Sequence, residues 1–222
     1  MPRKYRIVIA GKPHHVTQRG NRRQPVFFSS YDKGIYLKLL KEATVKNQVK
    51  IWAYCLMDNH VHLILVPEVE ASLAKAVAEV NRRFTCIINK RNKWRGYLWQ
   101  GRFLSSVMDD CYLIRAMHYV ENNPVRAGIV KRAWEYPWSS ASTHVFGSQD
   151  SILDVFPYER LIGDWRQFLM QTELEGILLD IRQRSRGCLP LGENEFIQKL
   201  SIDLGIDFAL LNPRPNGRPK KN

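Results

Sequence analysis

Residues 51–67 read as two apolar strands joined by the polar turn Met57-Asp58-Asn59. Asp and Asn favour turns because their side chains bond to the nearby backbone and tolerate left-handed conformations. Side chains of a strand alternate between its two faces, so His60 and His62 share one face of the second strand. The pattern predicts a β-hairpin that presents two neighbouring imidazoles.

Periodic apolar positions predict further elements on either side of this hairpin. Residues 14–19 alternate like a strand, and residues 33–46 have the apolar spacing of a helix with Asp32 as its N-cap. After the hairpin, Ser72 is the predicted N-cap of a second amphipathic helix. A fourth strand region then spans residues 97–107, with Gly101 marking a bend.

Asp109 or Asp110 begins a third helix, which ends before Pro124 because the residue preceding a proline avoids helical geometry. The chain order is therefore strand, helix, strand, strand, helix, strand, helix. This order predicts an α+β fold in which the helices pack on one face of an antiparallel sheet.

The pattern changes after residue 146. Gly147-Ser148-Gln149-Asp150 is typical of a linker, and helical patterns follow at residues 158–170, 173–184 and 193–204. We therefore expect a main domain at 1–146, a small helical C-terminal appendage at 147–211 and a disordered basic tail at 212–222. Gly217-Arg218-Pro219 in this tail resembles an AT-hook, whose arginine enters a narrow A/T minor groove.

Composition indicates the class of partner. The 222 residues include 34 Lys and Arg against 21 Asp and Glu, which gives a net charge of +13 and a pI near 9.8. Such a charge favours nucleic acid through counterion release, with a membrane surface as the competing partner. No apolar run of transmembrane length and no signal-peptide pattern occur, so we expect a cytoplasmic, nucleoid-associated protein without membrane contact. The four cysteines lack a Cys-x-x-Cys pair and predict neither a zinc site nor a disulfide framework.

The histidine pair is the first candidate for chemistry. Two neutral imidazoles on a rigid strand can converge on one metal ion. The alternative is a pair of histidines beside a turn, satisfied by backbone and water. In the third helix, Tyr119 and Asn123 are one turn apart on the same flank. A tyrosine at a helix edge is most often a packing residue, whereas beside a two-histidine metal site it can attack a phosphodiester.

Basic stretches are candidate DNA contacts. The loop at residues 20–23 presents backbone N–H groups together with guanidinium groups, and residues 89–95 interleave basic and aromatic side chains as single-strand binding surfaces do. The alternative for both is a solvated surface. The predicted DNA-binding residues are Arg19, Arg22, Arg23, Arg82, Arg83, Lys90, Arg91, Arg95, Arg102, Arg126 and Arg218. Arg182, Arg184 and Arg186 are further candidates, unless the C-terminal helices only cover the sheet or the active site.

Five blocks of sequence together carry a family resemblance: HVTQRGNRR at 15–23, MDNHVH at 57–62, WQGRF at 99–103, YVENNPVRAG at 119–128 and YPWSS at 136–140. They resemble the REP-associated tyrosine transposases, which belong to the single-tyrosine branch of the HUH nucleases. The resemblance covers about residues 5–142. It implies a ferredoxin-like or RRM-like antiparallel sheet that carries the histidines, with the tyrosine supplied by a helix.

The resemblance also implies the site and its chemistry. His60 and His62 match the metal pair, Tyr119 the nucleophile and Asn123 a third metal ligand, and hard phosphate oxygens suggest Mg2+ or Mn2+. The implied enzyme is a metal-dependent DNA endonuclease and strand-transferase that acts on single-stranded DNA beside hairpin, REP-type sequences. It forms a 5'-phosphotyrosine link and frees a 3'-hydroxyl. The alternative is a DNA-binding regulator or nucleoid protein derived from such a nuclease.

Two residues depart from the family pattern or have a second interpretation. Leu104 stands where relatives often have a basic residue, which would weaken one phosphate contact. Asn123 is a weak metal ligand, and an Asn before a proline can simply end a helix. The expected partner is DNA, single-stranded and hairpin, bound by a monomer or a homodimer. Whether Tyr119 acts in cis or in trans stays open in the sequence.

Overall fold

The computed structural model describes residues 6–172, 175–208 and 211, and it is built on a four-stranded antiparallel sheet. The strands are β1 (His14–Arg19), β2 (Val49–Met57), β3 (His60–Pro67) and β4 (Leu104–Val107), in the spatial order β2-β3-β1-β4. The predicted hairpin is present, since β2 and β3 pair around Asp58-Asn59 with Met57 opposite His60. The ferredoxin-like α+β class is confirmed.

The first face of the sheet is covered by α1 (Ser30–Lys46) and α2 (Glu70–Asn92). Val16 and Leu63 from the strands pack there against Leu40 of α1 and Phe84 of α2, and all four side chains are fully buried. Because burial of each large apolar side chain contributes about 1.5–3 kcal/mol, this layer is a main source of stability.

Both helices begin earlier than the sequence predicted. Ser29, rather than Asp32, caps α1, and the Ser29 hydroxyl accepts a hydrogen bond from the backbone N–H of Asp32. Asp32 is buried and instead pairs with Arg91 near the end of α2. Val69 precedes α2 without a side-chain cap, and Ser72 lies inside the first turn of that helix. Asp32 therefore forms a tertiary ion pair, although its local propensity predicted a helix cap.

The second face of the sheet is also covered, so the prediction of helices on one face was wrong. Its main cover is α3 (Asp110–Glu121), whose Leu113 and Met117 pack against Ile64 of β3 and Cys55 of β2. A strand with apolar side chains on both faces needs an apolar layer on each side. Because β3 carries Ile64 and Val66 on the histidine face, that face could not be left to solvent.

Shorter helices complete the chain. After α3 the structure has α4 (Asn123–Arg126), α5 (Ala141–Phe146), α6 (Glu159–Ile162), α7 (Trp165–Met170), α8 (Glu175–Gly187) and α9 (Asn194–Leu204), with 3-10 turns at Asn21–Arg23 and Ala133–Glu135. The helix predicted over residues 158–170 is two helices, because Gly163 has a φ of 68° and Asp164 caps α7. The strand predicted over residues 97–107 is regular only in β4, with Gly101 at a φ of 67° before it.

The segment after α4 runs along the outer edge of β2. Leu56 donates its backbone N–H to the Trp138 carbonyl at 2.9 Å, and the Asp154 N–H donates to the Ile51 carbonyl at 2.8 Å. Asp150, in the predicted linker, accepts a hydrogen bond from the Tyr54 hydroxyl. These bonds satisfy a strand edge that would otherwise invite pairing with another chain.

The predicted domain limits at 146 and 211 stay a prediction. The tail at 212–222, with Arg218, lies outside the described residues, as does Tyr5. Within the ranges that are described, no helix is both long and apolar enough to cross a membrane.

Candidate active site

Strands β1 and β3 bring three histidines to one end of the second face. In their antiparallel register Thr17 is opposite His62 and Arg19 is opposite His60, so these four side chains share a face. His15 lies two residues from Thr17 along β1 and therefore joins them. The pairing register assembles a cluster from residues that are about 45 positions apart in the sequence.

Helix α3 lies across this face and carries Tyr119 to the histidines. Asp109 caps the helix by accepting a hydrogen bond from the Tyr112 N–H at 2.7 Å, and the apolar side of the helix is buried against the sheet. The Tyr119 ring meets the His62 ring edge-on with a centroid distance of 5.6 Å, and the His15 ring at 5.7 Å. The structure thus places Tyr119 directly beside the histidine pair of its own chain.

These groups border a cleft with a volume of about 610 Å3. It is lined by the candidate residues Tyr119, His60, His62 and Asn123, and by the cations Arg19, Arg23, Arg102, Arg126, Arg182 and Arg186. Leu104, the position that departs from the family pattern, lines it too. The cleft therefore combines imidazoles, a phenol and several guanidinium groups, a set suited to an anionic substrate.

Burial keeps the three histidines neutral. Burial, helped by the nearby charge of Arg19, lowers the pKa of His60 to about 4. Burial and Arg126 lower the pKa of His15 to about 3. The pKa of His62 lies well below its usual value because the ring is buried beside His60 and His15. At neutral pH each ring therefore keeps an unprotonated nitrogen.

A chain of hydrogen bonds orients His62. Its Nδ1 lies 2.9 Å from His15 Nε2, and His15 Nδ1 lies 2.9 Å from the Ser185 hydroxyl of α8. All three side chains are buried. When His62 donates from Nδ1, its Nε2 lone pair is left for a ligand. His15 then accepts at Nε2 and donates from Nδ1 to the Ser185 hydroxyl.

His60 is oriented by its neighbour in the turn. Its Nδ1 lies 2.6 Å from Asn59 Oδ1, and an amide oxygen can only accept, so the ring proton sits on Nδ1. The Asn59 amide nitrogen in turn donates to the Arg23 carbonyl at 2.9 Å. The Nε2 atom of His60 is thus the nitrogen that is available for a ligand.

The donors present fit a divalent metal ion. The His60 and His62 ring centres are 5.0 Å apart, and Asn123 lines the same cleft. Among the residues that the structure describes, no three His, Cys, Asp or Glu side chains form a ligand group, so the third protein ligand would be the Asn123 amide oxygen. The amide oxygen and the hard phosphate oxygens of a substrate favour Mg2+ or Mn2+, and three protein ligands would leave positions open for those oxygens.

Arg126 is bound directly to the tyrosine. Its guanidinium carbon lies 4.1 Å from the Tyr119 ring centroid, and its Nη2 donates to the Tyr119 carbonyl at 2.6 Å. This contact spans the junction of α3 and α4 at Asn122. A cation stacked on the ring face stabilises the ring position and adds positive charge beside the phenol.

The loop after β1 has a strained backbone at the rim of the cleft. Arg22 and Arg23 have φ values of 53° and 62°, a left-handed region that costs energy for residues other than glycine. Burial and the neighbouring Arg23 and Arg186 lower the pKa of Arg19, which shows how closely these cations are crowded. Crowded like charges in a strained loop are stabilised by an anion, so this rim suits a phosphate.

The other predicted DNA-binding residues that the structure describes do not line the cleft. Arg82, Lys90 and Arg95 are exposed on or just beyond α2, and Arg22 is exposed beside the rim. Arg83 forms ion pairs with Glu42 and Glu79, and Arg91 forms a two-pronged pair with Asp32.

The C-terminal helices supply two of the further candidate arginines and one residue that the sequence did not indicate. Arg182 and Arg186 line the cleft, whereas Arg184 pairs with Asp180 at 2.7 Å. Ser185 had no local signal, because it meets His15 only through tertiary packing. For His15 the signal in the sequence is its strand parity with Thr17 and Arg19.

Comparison with known proteins shows the family of the chain. Residues 10–123, just over half of the chain, match a family model described as "Transposase IS200 like". A Haemophilus influenzae protein, provisionally named a REP-associated tyrosine transposase, is 31% identical over 99 residues, which cover 40% of this chain and 56% of that protein. The chain thus spans about half the length of this curated relative.

A solved structure described as a REP-associated tyrosine transposase bound to a REP hairpin has the same fold. It matches with a TM-score of 0.57 and 22% identity, over 70% of this chain and 92% of that one. The family resemblance that the sequence blocks predicted is confirmed by these matches. Because the family model covers more than half of the chain, the protein belongs to the IS200-like transposase family.

Proposed function

We propose that the protein is a metal-dependent, single-tyrosine DNA endonuclease and strand-transferase that acts on single-stranded DNA beside REP-type hairpins. The observation that carries this proposal is the edge contact between Tyr119 and His62, 5.6 Å between ring centres, in a cleft bordered by arginines. A fold relative described as bound to a REP hairpin supports the choice of substrate.

The residues of the cleft account for each part of the reaction. Arg19, Arg102 and Arg126 hold the scissile phosphate, because guanidinium groups bind phosphate oxygens in a two-pronged fashion. The Tyr119 oxygen attacks phosphorus, the bond from phosphorus to the 3' oxygen breaks, and the tyrosine becomes linked to the 5' phosphate. The phenol proton is lost as the 3' oxygen gains one, so charge is conserved overall.

His60, His62 and Asn123 would hold a divalent metal ion, Mg2+ or Mn2+, which polarises the phosphate and offsets the charge of the transition state. The hydrogen bonds that His60 donates to Asn59 and His62 donates to His15 fix the two imidazoles in the absence of metal. Since a phosphotyrosine link keeps the energy of the phosphodiester, attack by a 3'-hydroxyl on that link rejoins DNA without ATP. Tyr119 contacts His62 of the same chain, which supports attack within one chain.

The decisive experiment is the detection of the covalent intermediate. Wild-type protein is incubated with single-stranded oligonucleotides that contain a hairpin and carry a label at the 3' end, with Mn2+ or Mg2+, and resolved on a denaturing gel. We expect a labelled protein–DNA adduct that disappears in Tyr119→Phe, because phenylalanine lacks the attacking oxygen. Mass spectrometry of the adduct should locate the phosphate on the peptide that contains Tyr119.

Tyr112→Phe is the matched control. Tyr112 is on the same helix, but its hydroxyl bonds to Asp180 at 2.8 Å, away from the cleft. This variant should form the adduct as the wild type does. An adduct that survives in Tyr119→Phe would show that another group attacks. Tight DNA binding with no adduct on every hairpin tried would favour the DNA-binding regulator instead.

A further inference from the structure

Four large aromatic side chains lie exposed at the junction of α1, α2 and the loop after α2. They are Phe28, Tyr31, Trp94 and Tyr97, with 47%, 73%, 51% and 89% of their surface exposed, and we call them the aromatic surface. Phe28 and Trp94 contact each other edge-on with ring centres 5.5 Å apart. Exposed aromatics that are grouped in this way indicate a binding surface more often than chance, because their hydration is costly.

Hydrogen bonds of the backbone hold this surface in place. Asp32 accepts from the Phe28 N–H at 2.8 Å and forms two bonds with Arg91, which joins the start of α1 to the end of α2. Lys93 ends α2 in a left-handed conformation, and the Trp94 N–H then donates to the Asn89 carbonyl at 2.8 Å. The backbone at Phe28 and Trp94 is thus fixed, and the edge contact between their rings is present before a ligand binds.

The surroundings of the aromatic surface are positively charged. Residues 10–31 and 80–108, which carry all four rings, contain no Asp or Glu. Lys93 and Arg95 flank Trp94 and are exposed. The acidic groups that approach from α1 and the hairpin turn are paired, since Asp32 is bound by Arg91 and Asp58 by Lys33 at 2.7 Å.

The aromatic surface is continuous with the rim of the active-site cleft. The loop after α2 runs beside the loop after β1, where the Asn21 N–H donates to the Leu98 carbonyl at 2.8 Å. Two residues later the Gln100 N–H donates to the Arg19 carbonyl at 2.7 Å. Arg19 and Gln100 both line the cleft, so a strand that leaves the cleft over this rim reaches Tyr97 and Trp94 next.

We propose that the aromatic surface binds unpaired nucleotides of the DNA strand that adjoins the cleaved phosphate, by stacking their bases on Trp94, Phe28 and Tyr97. Stacking on protein rings requires bases that are not already stacked in a duplex, which excludes the hairpin stem as the occupant. Lys93 and Arg95 then contact the phosphates between those bases. This inference rests on the proposed function, because it assumes that the cleft receives single-stranded DNA.

The test measures binding without cleavage, in EDTA, by fluorescence anisotropy. The probes are a blunt DNA hairpin, the same hairpin with a single-stranded thymidine extension of about ten nucleotides, and a version whose extension is abasic. We expect Trp94→Ala to weaken binding to the thymidine extension by about tenfold or more, since each stacked base contributes that much. Binding to the blunt hairpin should not change, and on the abasic extension wild type and variant should bind equally.

Two variants separate stacking from other effects. Trp94→Phe keeps a ring and should retain most of the affinity, whereas Phe146→Ala removes an aromatic residue that is 59% exposed elsewhere and should change nothing. Trp94→Ala should leave the salt dependence of binding unaltered, whereas Lys93→Ala should reduce its slope by about one.

Several results would overturn the inference. Equal losses on the blunt and extended hairpins would mean that the surface contacts duplex or that the fold has changed. No loss on the extension, combined with a change from dimer to monomer in sedimentation, would make the surface an interface between copies of the chain. The adduct assay is independent of these measurements, so a wild-type protein that stacks DNA but forms no adduct would refute only the proposed cleavage.

Discussion

Lowering the pH from 8 to 5 should destabilise the protein by several kcal/mol, because its buried histidines cannot accept protons in the folded state. Burial lowers the pKa of His14 and of His60 to about 4 and that of His15 to about 3. The unfolded chain, with histidine pKa values near about 6.5, binds protons at pH values where the folded chain does not. Stability is therefore complete above about pH 6.5 and falls as the pH drops towards about 4.

The magnitude follows from the distance between pH 5 and the unfolded pKa. That gap of about 1.5 units corresponds to about 2 kcal/mol for each histidine that stays neutral when folded. The free energy of unfolding therefore falls by about 6 kcal/mol through His14, His15 and His60 together. The lowered pKa of His62 adds to this loss. For a protein whose total stability is about 5–15 kcal/mol, this is a large fraction.

One histidine acts in the opposite direction. Burial disfavours protonation of His144, but the Glu121 carboxylate at 2.6 Å outweighs it and raises the pKa of His144. Its contribution to stability is therefore complete below about pH 6.5 and is lost as the pH rises through its folded pKa. His144 partly offsets the loss from the other histidines at pH 5.

The assay is urea unfolding, followed by circular dichroism at a series of pH values between 5 and 8, with EDTA present so that no metal contributes. His14→Asn should reduce the pH-dependent loss by about 2 kcal/mol, since it removes one group that titrates only when unfolded. His144→Gln should increase that loss. A free energy of unfolding that stays constant from pH 8 to pH 5 would refute the reasoning, and with it the claim that the cleft presents neutral imidazoles.

Two further predictions concern packing and the orientation of the site. Gly20→Ala should destabilise the protein by about 1–3 kcal/mol in urea unfolding, because the added Cβ would lie 2.2 Å from the Gln24 carbonyl oxygen. Gly34→Ala, whose added Cβ would meet nothing within 4 Å inside α1, should stabilise the protein slightly. Equal effects of the two substitutions would contradict the packing. His15→Phe removes the hydrogen-bond partner of His62 Nδ1 and should weaken Mn2+ binding about 10- to 100-fold in calorimetric titrations. The DNA affinity measured in EDTA should not change. An unaltered Mn2+ affinity would show that His15 does not orient the site.

The type and order of the main elements were readable from local patterns. The alternation that places His60 and His62 together was visible within a few residues, because the period of a strand is a local property. The apolar spacing of α3 likewise predicted that Tyr119 and Asn123 share a flank. The caps were less predictable, since Asp32 is a good cap in isolation and a better ion-pair partner once α2 lies beside it.

The sequence by itself therefore determined the α+β class, the family, the histidine hairpin and the helix that bears the tyrosine. Only the tertiary structure decided what those groups meet, because contacts between distant segments depend on strand order and packing, which no local period encodes. The register of β1 against β3 placed His15 beside His62, and α8 brought Ser185 to it from 170 positions away. The same packing covered the second face of the sheet and buried His15 and His62, which are neutral and oriented there.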